Sequence, residues 1–207
     1  MPRGNPSPSA DGVTIISLEP LRLNFSGTTM AKNPPPPLKF LFADPAHLVA
    51  CGFGSGLSTF APGTVGTAFA WASYPLVRFA FPADATCLLA LLFLFIFGVY
   101  ACHITGRRLG VVDHGSIVWD EIVPFWGVLM FCPPALMPSP HGYYFSLNGL
   151  LWQTAAFFLF RLFDIIKLPP AGFFDSKVKN GFGVMMDDVM AAGHTILTLA
   201  LIKYFLG

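Results

Sequence analysis

From about residue 65 onward, apolar residues do not alternate with polar ones. They run together in long blocks separated by short polar connections. A helix needs about 20 residues to cross the hydrocarbon of a bilayer. Blocks of roughly that length fall at 65–82, 85–105, 116–137, 145–167 and 184–206. The second is the clearest, being almost wholly apolar from Leu88 to Tyr100. The first is short and carries Pro75 and Arg78, so it reads either as a span or as a re-entrant segment. Residues 46–57 predict a short interfacial helix leading into a glycine-rich loop. The expected fold is an all-α, polytopic transmembrane bundle of four to five membrane helices over 46–207. Residues 1–45 read as a disordered tail or surface arm, rich in Pro, Ser and Gly and including the extended run Pro34–Pro37.

Composition sharpens this picture. Only 11% of the residues are charged, against about 25% in a soluble domain, so much of the surface faces lipid. The net charge of +1 comes without a basic stripe, which argues against a nucleic-acid partner. Cys51, Cys87, Cys102 and Cys132 form no CxxC pair, and neither a disulfide framework nor a zinc knuckle is indicated. The first apolar run, Val13 to Ile16, is too short for a signal peptide. Lys and Arg lie in the tail, in loop 106–115 and in 167–182, and are missing from the connections near 82–85 and 138–145. The positive-inside rule then places tail, second loop and fourth loop in the cytoplasm.

The carboxylates fall at that same face. Asp120 and Glu121 sit one turn into the third span, Asp164 in the last turn of the fourth, and Asp187 and Asp188 at the start of the fifth. Asp113 and His114 precede the third span, and Gly63-Thr64 enters the first from the same side. Acids at helix ends can simply touch water or complement a helix dipole. Several at one level, with two adjacent pairs, point instead to function. Adjacent carboxylates repel unless a cation lies between them, and a hard divalent ion such as Mg²⁺ suits oxygen ligands and substrate phosphate. Arg161 and Lys167 flank Asp164 at helical spacing. They form either an ion-pair ladder or a grip for phosphate oxygens. The small-residue stretch from Gly52 through Ser58 to Gly63 and Thr64 is either an anion cradle at a helix start or a set of packing glycines. Cys102 to Arg108 has the spacing of a cysteine phosphatase loop but lies in an apolar helix, unsuited to a thiolate. The five histidines show no zinc spacing.

Four stretches carry a resemblance: Phe53-Gly54-Ser55-Gly56-Leu57-Ser58 with Pro62-Gly63-Thr64; Asp113-His114-Gly115-Ser116-Ile117-Val118-Trp119-Asp120-Glu121; Phe160-Arg161-Leu162-Phe163-Asp164-Ile165 with Lys167; and Gly183-Val184-Met185-Met186-Asp187-Asp188. From about residue 46 to 206 the chain resembles the phosphatidylglycerophosphatase A family of bacterial inner-membrane lipid phosphatases. Departures fall at Thr59, Leu168, Asn180 and Ala192, which shape backbone and supply no charge. The resemblance implies Mg²⁺-dependent hydrolysis of phosphatidylglycerol phosphate within the bilayer, at the cytoplasmic face of a bacterial inner membrane. On that reading Asp120, Glu121, Asp187 and Asp188 hold the metal. Asp164 joins them in catalysis, and His114 protonates the leaving oxygen. Ser58, Gly63, Thr64, Arg161 and Lys167 bind substrate. Hydrolysis of another lipid phosphate and cation transport through the same acids are the competing expectations. Transporters favour midplane sites between repeated halves, and no repeat is visible here.

Overall fold

The computed structural model describes residues 33–140, 142–171 and 177–206. The chain separates into two compact units, Met1–Ala31 and Lys32–Gly207, and all the described residues belong to the second. Most of the expected tail, residues 1–32, therefore lies outside them. Residues 33–37 form no helix or strand, Pro37 is extended, and Leu38–Leu41 form a short helix α1 with Leu41 buried. Helix α2 (Pro45–Ala50) follows, capped by Asp44, whose carboxylate accepts from the Ala46 amide at 2.8 Å. A 3-10 segment over Gly52–Leu57 leads to α3 (Pro62–Ala80), α4 (Asp84–Leu109) and α5 (Trp119–Leu129). A small hairpin, β1 (Leu136–Ser139) with β2 (Gly142–Phe145), precedes α6 (Leu147–Ile166) and α7 (Gly181–Leu206).

The architecture is all-α and polytopic, as the apolar blocks predict. Three helices are long and apolar enough to cross a membrane: Asp84–Leu109, Leu147–Ile166 and Gly181–Phe205. Their outer faces present Leu88, Phe93, Phe158 and Leu197, all exposed, as lipid-facing helices should. Helix α3 has 19 residues but carries Arg78 and Pro75 and is not among the three.

The third apolar block behaves differently. Residues 116–137 predict a full span, yet the helix covers only Trp119–Leu129, 11 residues. At ~1.5 Å per residue it rises about 16 Å, half the hydrocarbon thickness. Its residues are apolar all round because they are buried all round. Ile122, Phe125, Val128 and Leu129 are fully enclosed, as expected of a core helix rather than a lipid-facing one. Pro133 and Pro134 prevent continuation, and the hairpin follows, pairing Leu136 with Phe145 and Met137 with Tyr144. Ser146 then caps α6 by accepting from the Gly149 amide at 3.2 Å.

Tryptophans fix α5 in place. Trp119 and Trp126 are buried. Their indole N–H groups donate to the carbonyls of Leu94 at 3.2 Å and Ala70 at 2.9 Å. Gly98 allows α4 to approach, since a Cβ there would lie 2.6 Å from Trp119 and 2.9 Å from Met185. The bundle thus holds the first turn of α5 at a fixed level against the ends of its neighbours.

Candidate active site

The polar ends of four elements and two loops enclose a pocket of about 450 Å³. Pro62 and Gly63 come from the start of α3, and Asp113, Gly115 and Ile117 from the loop before α5. Asp120 and Glu121 come from the first turn of α5, and Arg161, Asp164 and Lys167 from the end of α6. Val178, Lys179, Gly183, Val184, Asp187 and Asp188 complete the wall along and before α7. The N-terminus of α3, with its positive dipole end, faces this space.

Three of the acids converge. Asp120, Glu121 and Asp188 each bring one carboxylate oxygen to within 4.8 Å of the others. Asp120 is 6% and Asp188 4% exposed, and the Glu121 side chain is 12% exposed. Asp120 Oδ1 and Glu121 Oε2 are shielded from water and accept no hydrogen bond from the described residues. Buried, unpaired carboxylate oxygens this close together are costly unless a cation or protons balance them. An all-oxygen donor set of this kind suits a hard divalent cation. Helix α5 contributes in a second way. Pro124 has no N–H to bond the Asp120 carbonyl four residues back.

Asp187 plays a different part. The sequence groups it with the metal-holding acids, but it is not one of the three that converge. Its Oδ2 lies 2.5 Å from Lys167 Nζ. Lys167 caps α6 in a left-handed conformation, φ 51°, which turns its side chain across to α7. Arg161 Nη1 sits 2.7 Å from Asp164 Oδ2 and 3.5 Å from Glu121 Oε1. Arg161 thus pairs with Asp164 and Lys167 with Asp187, and all four side chains line the pocket. Lys179 lines the pocket as well and forms no ion pair among the described residues. The sequence marks it only as a topological charge.

The glycine-rich stretch divides. Gly63 reaches the pocket: a Cβ there would lie 2.1 Å from Glu121 Oε1 and 3.0 Å from Arg161 Nη1. The loop before it does not. The amides of Gly54 and Gly56 both donate to the Cys51 carbonyl, at 3.0 and 3.1 Å, so neither is turned toward an anion. A Cβ on Gly56 would stand 2.1 Å from the Ser116 carbonyl, so this glycine permits close packing. Ser58 hydroxyl donates to the Phe60 carbonyl at 2.7 Å and lines a small neighbouring cleft. Thr64 is half-buried on α3 and is not part of the pocket lining. His114 is also outside the lining. It is buried, and its Nδ1 accepts from the Ser116 amide at 3.1 Å. Burial holds its imidazole below the ordinary value, against the opposing pull of Asp113. The geometry gives His114 a part in shaping the loop that carries Asp113.

Fold and site together define a polytopic α-helical membrane protein with a carboxylate-rich pocket at one end of the bundle. Residues 48–203 match the family profile described as Phosphatidylglycerophosphatase A. A Phosphatidylglycerophosphatase A of Haemophilus influenzae is 41% identical over 170 residues, covering 81% of this chain and 94% of that protein. One from Escherichia coli is 40% identical over 165 residues, covering 80% of this chain and 85% of that protein. The chain belongs to the phosphatidylglycerophosphatase A family. No solved structure matches it.

Proposed function

We infer that this protein removes the terminal phosphate of phosphatidylglycerol phosphate, giving phosphatidylglycerol and inorganic phosphate, with Mg²⁺ as cofactor and the pocket on the cytoplasmic side of a bacterial inner membrane. The substrate follows the printed names of two of its relatives. The single observation that carries the chemistry is the convergence of Asp120, Glu121 and Asp188, with two shielded oxygens left unpaired. Orientation rests on charge. Arg107, Arg108, Arg161, Lys167, Lys177 and Lys179 lie toward the pocket end, whereas of the described Lys and Arg side chains Arg78, beside the start of α4, and Lys203, in the last turn of α7, lie toward the other.

Asp120, Glu121 and Asp188 would hold the ion. When bound, Mg²⁺ supplies charge neutralisation at the phosphoryl oxygens. The remaining work belongs to side chains. Arg161, held by Asp164 and Glu121, presents a fixed guanidinium to two phosphate oxygens. Lys167, held by Asp187, adds a second positive group. Water attacks phosphorus in line with the glycerol oxygen. As the new P–O bond forms, the water gives its proton to a carboxylate of the cluster. The bond to the glycerol oxygen breaks, that oxygen takes a proton from solvent water to leave as an alcohol, and the carboxylate returns its proton to solvent. The acyl chains remain in the bilayer beside the bundle, so the reaction needs no soluble channel.

The test uses purified protein in detergent, supplied in turn with phosphatidylglycerol phosphate, phosphatidate and an isoprenoid pyrophosphate, each with and without chelator. Chelator-sensitive phosphate release from the first, at least tenfold faster than from the others, is expected. Preference for another of the three overturns the head-group assignment. Release indifferent to chelator overturns the cofactor. No release from any, with cation flux in liposomes, overturns the enzyme reading in favour of transport.

A further inference from the structure

A trench of about 510 Å³ runs along the side of the bundle between α4, α5 and α7. Its walls include Leu92 and Phe95 of α4, Gly127 of α5, Met130 just beyond it, and Val189 and Gly193 of α7. Every residue that lines it is apolar. The trench follows from the length of α5. Helices α4 and α7 are long enough to cross a membrane, whereas α5 stops after 11 residues and leaves a recess between them. Toward the acid pocket the recess is closed. A Cβ on Gly98 would stand 2.6 Å from Trp119 and 2.9 Å from Met185, and Cys102 Sγ lies 3.9 Å from Met185 Sδ. The α4 wall, Leu88 to Phe95, lies on the Asp84 side of that seam. Two glycines hold the trench open. Gly127 and Gly193 stand inside helices, where glycine is the poorest former after proline. Unlike Gly98, neither serves a close approach, since a Cβ on either would meet nothing within 4 Å.

We propose that the trench holds one acyl chain of a resident phospholipid, which enters from the leaflet opposite the acid pocket and completes the span that α5 leaves unfinished. Depth decides the chemistry. The walls belong to membrane-crossing helices, where no water is present to fill a gap and an empty one forfeits dispersion contacts with its lining. Association within a bilayer is driven by such packing. Size decides between a chain and a second copy of the protein. The α7 wall runs from Met186 to Ile196, about 15 Å of helix. A helix of that length and roughly 10 Å across would occupy about 1,200 Å³, more than the trench offers, whereas a single flexible chain follows its course. The closed seam at Gly98 separates this chain from the acid pocket, so the site does not depend on which phosphate that pocket hydrolyses.

The test places the full chain in vesicles containing a phosphatidylethanolamine with a diazirine on one palmitoyl chain, and maps the photoadducts by mass spectrometry. Wild type should be labelled both in the trench and at Phe158, an exposed residue of α6 that reports ordinary lipid contact. Gly193→Leu and Gly127→Leu each fill the trench. Each should lower labelling of Leu92 and Val189 at least fivefold and leave labelling at Phe158 unchanged. In digitonin, whose rigid steroid cannot follow the trench, wild type should gain several degrees in unfolding midpoint when dipalmitoyl phosphatidylethanolamine is added. The variants should gain none, and without lipid their midpoints should match or exceed that of wild type, because leucine is the better helix former and meets no atom there. Trench labelling in both variants as strong as in wild type overturns the site. An equal midpoint gain from dihexanoyl phosphatidylethanolamine overturns the long chain as the bound part. Crosslinks from Cys introduced at Leu92 to a second copy in wild type, lost in the leucine variants, overturn the lipid in favour of a dimer.

Discussion

Gly63 shows how much of this pocket depends on a missing side chain. A methyl group there would occupy the space of the Glu121 carboxylate and crowd Arg161. Gly63→Ala should therefore lower phosphate release at least tenfold, with the unfolding midpoint within a few degrees of wild type, because the displaced atoms are side-chain ends rather than backbone. A variant as active as wild type would remove Gly63 from the site. Asp187 is the second informative residue. It pairs with Lys167 and lies outside the converging triad, and the proposed mechanism gives it a positioning role. Asp187→Asn should raise KM for the lipid about tenfold while kcat falls less than threefold, a pattern that distinguishes it from a metal ligand. A kcat loss as large as that of Asp188→Asn would return Asp187 to the metal-holding set. The acids themselves were legible in the sequence because carboxylates are rare in so apolar a chain. Which of them converge was not legible. That depends on the left-handed turn at Lys167 and the level at which α5 enters the bundle, neither of which has a local sequence signal.

At the level of elements, α5 carries the site and is the element the apolar pattern misjudges. Its length in hydrophobic residues matches a membrane span, but Pro133 and Pro134 stop the helix and surrounding helices enclose it. Apolar runs of ten to fourteen residues fit buried helices better than spans. The apolar block 116–137 runs through the prolines, and no local signal marks the hairpin within the Pro-rich connection. The glycine loop is similar. Its composition allows an anion cradle, and only the hydrogen bonds of Gly54 and Gly56 to the Cys51 carbonyl reveal that it packs instead. The indoles hold α5 at its level. Trp126→Phe removes the donor to the buried Ala70 carbonyl and should cost about 1–2 kcal/mol. The expected result is a midpoint lowered by a few degrees with activity above half of wild type. An unchanged midpoint would mean that the indole hydrogen bond does not help to hold the helix.

For the whole molecule, the long apolar helices were readable because bilayer thickness imposes a length on them. The proposed orientation rests on the excess of Lys and Arg toward the pocket end. Lys179, at the pocket rim, offers a direct check. In a variant whose native cysteines are replaced, Lys179→Cys should react with an impermeant maleimide in inside-out vesicles and resist it in intact spheroplasts. The reverse pattern would turn the protein over. The central claim is that Asp120, Glu121 and Asp188 form a cation-dependent phosphatase site. It is tested most directly by phosphate release from phosphatidylglycerol phosphate by Asp188→Asn at saturating Mg²⁺, compared with wild type of equal unfolding midpoint. The account predicts a loss of about a thousandfold, of the size seen when a group acting in the transition state is removed. Turnover within threefold of wild type would contradict it.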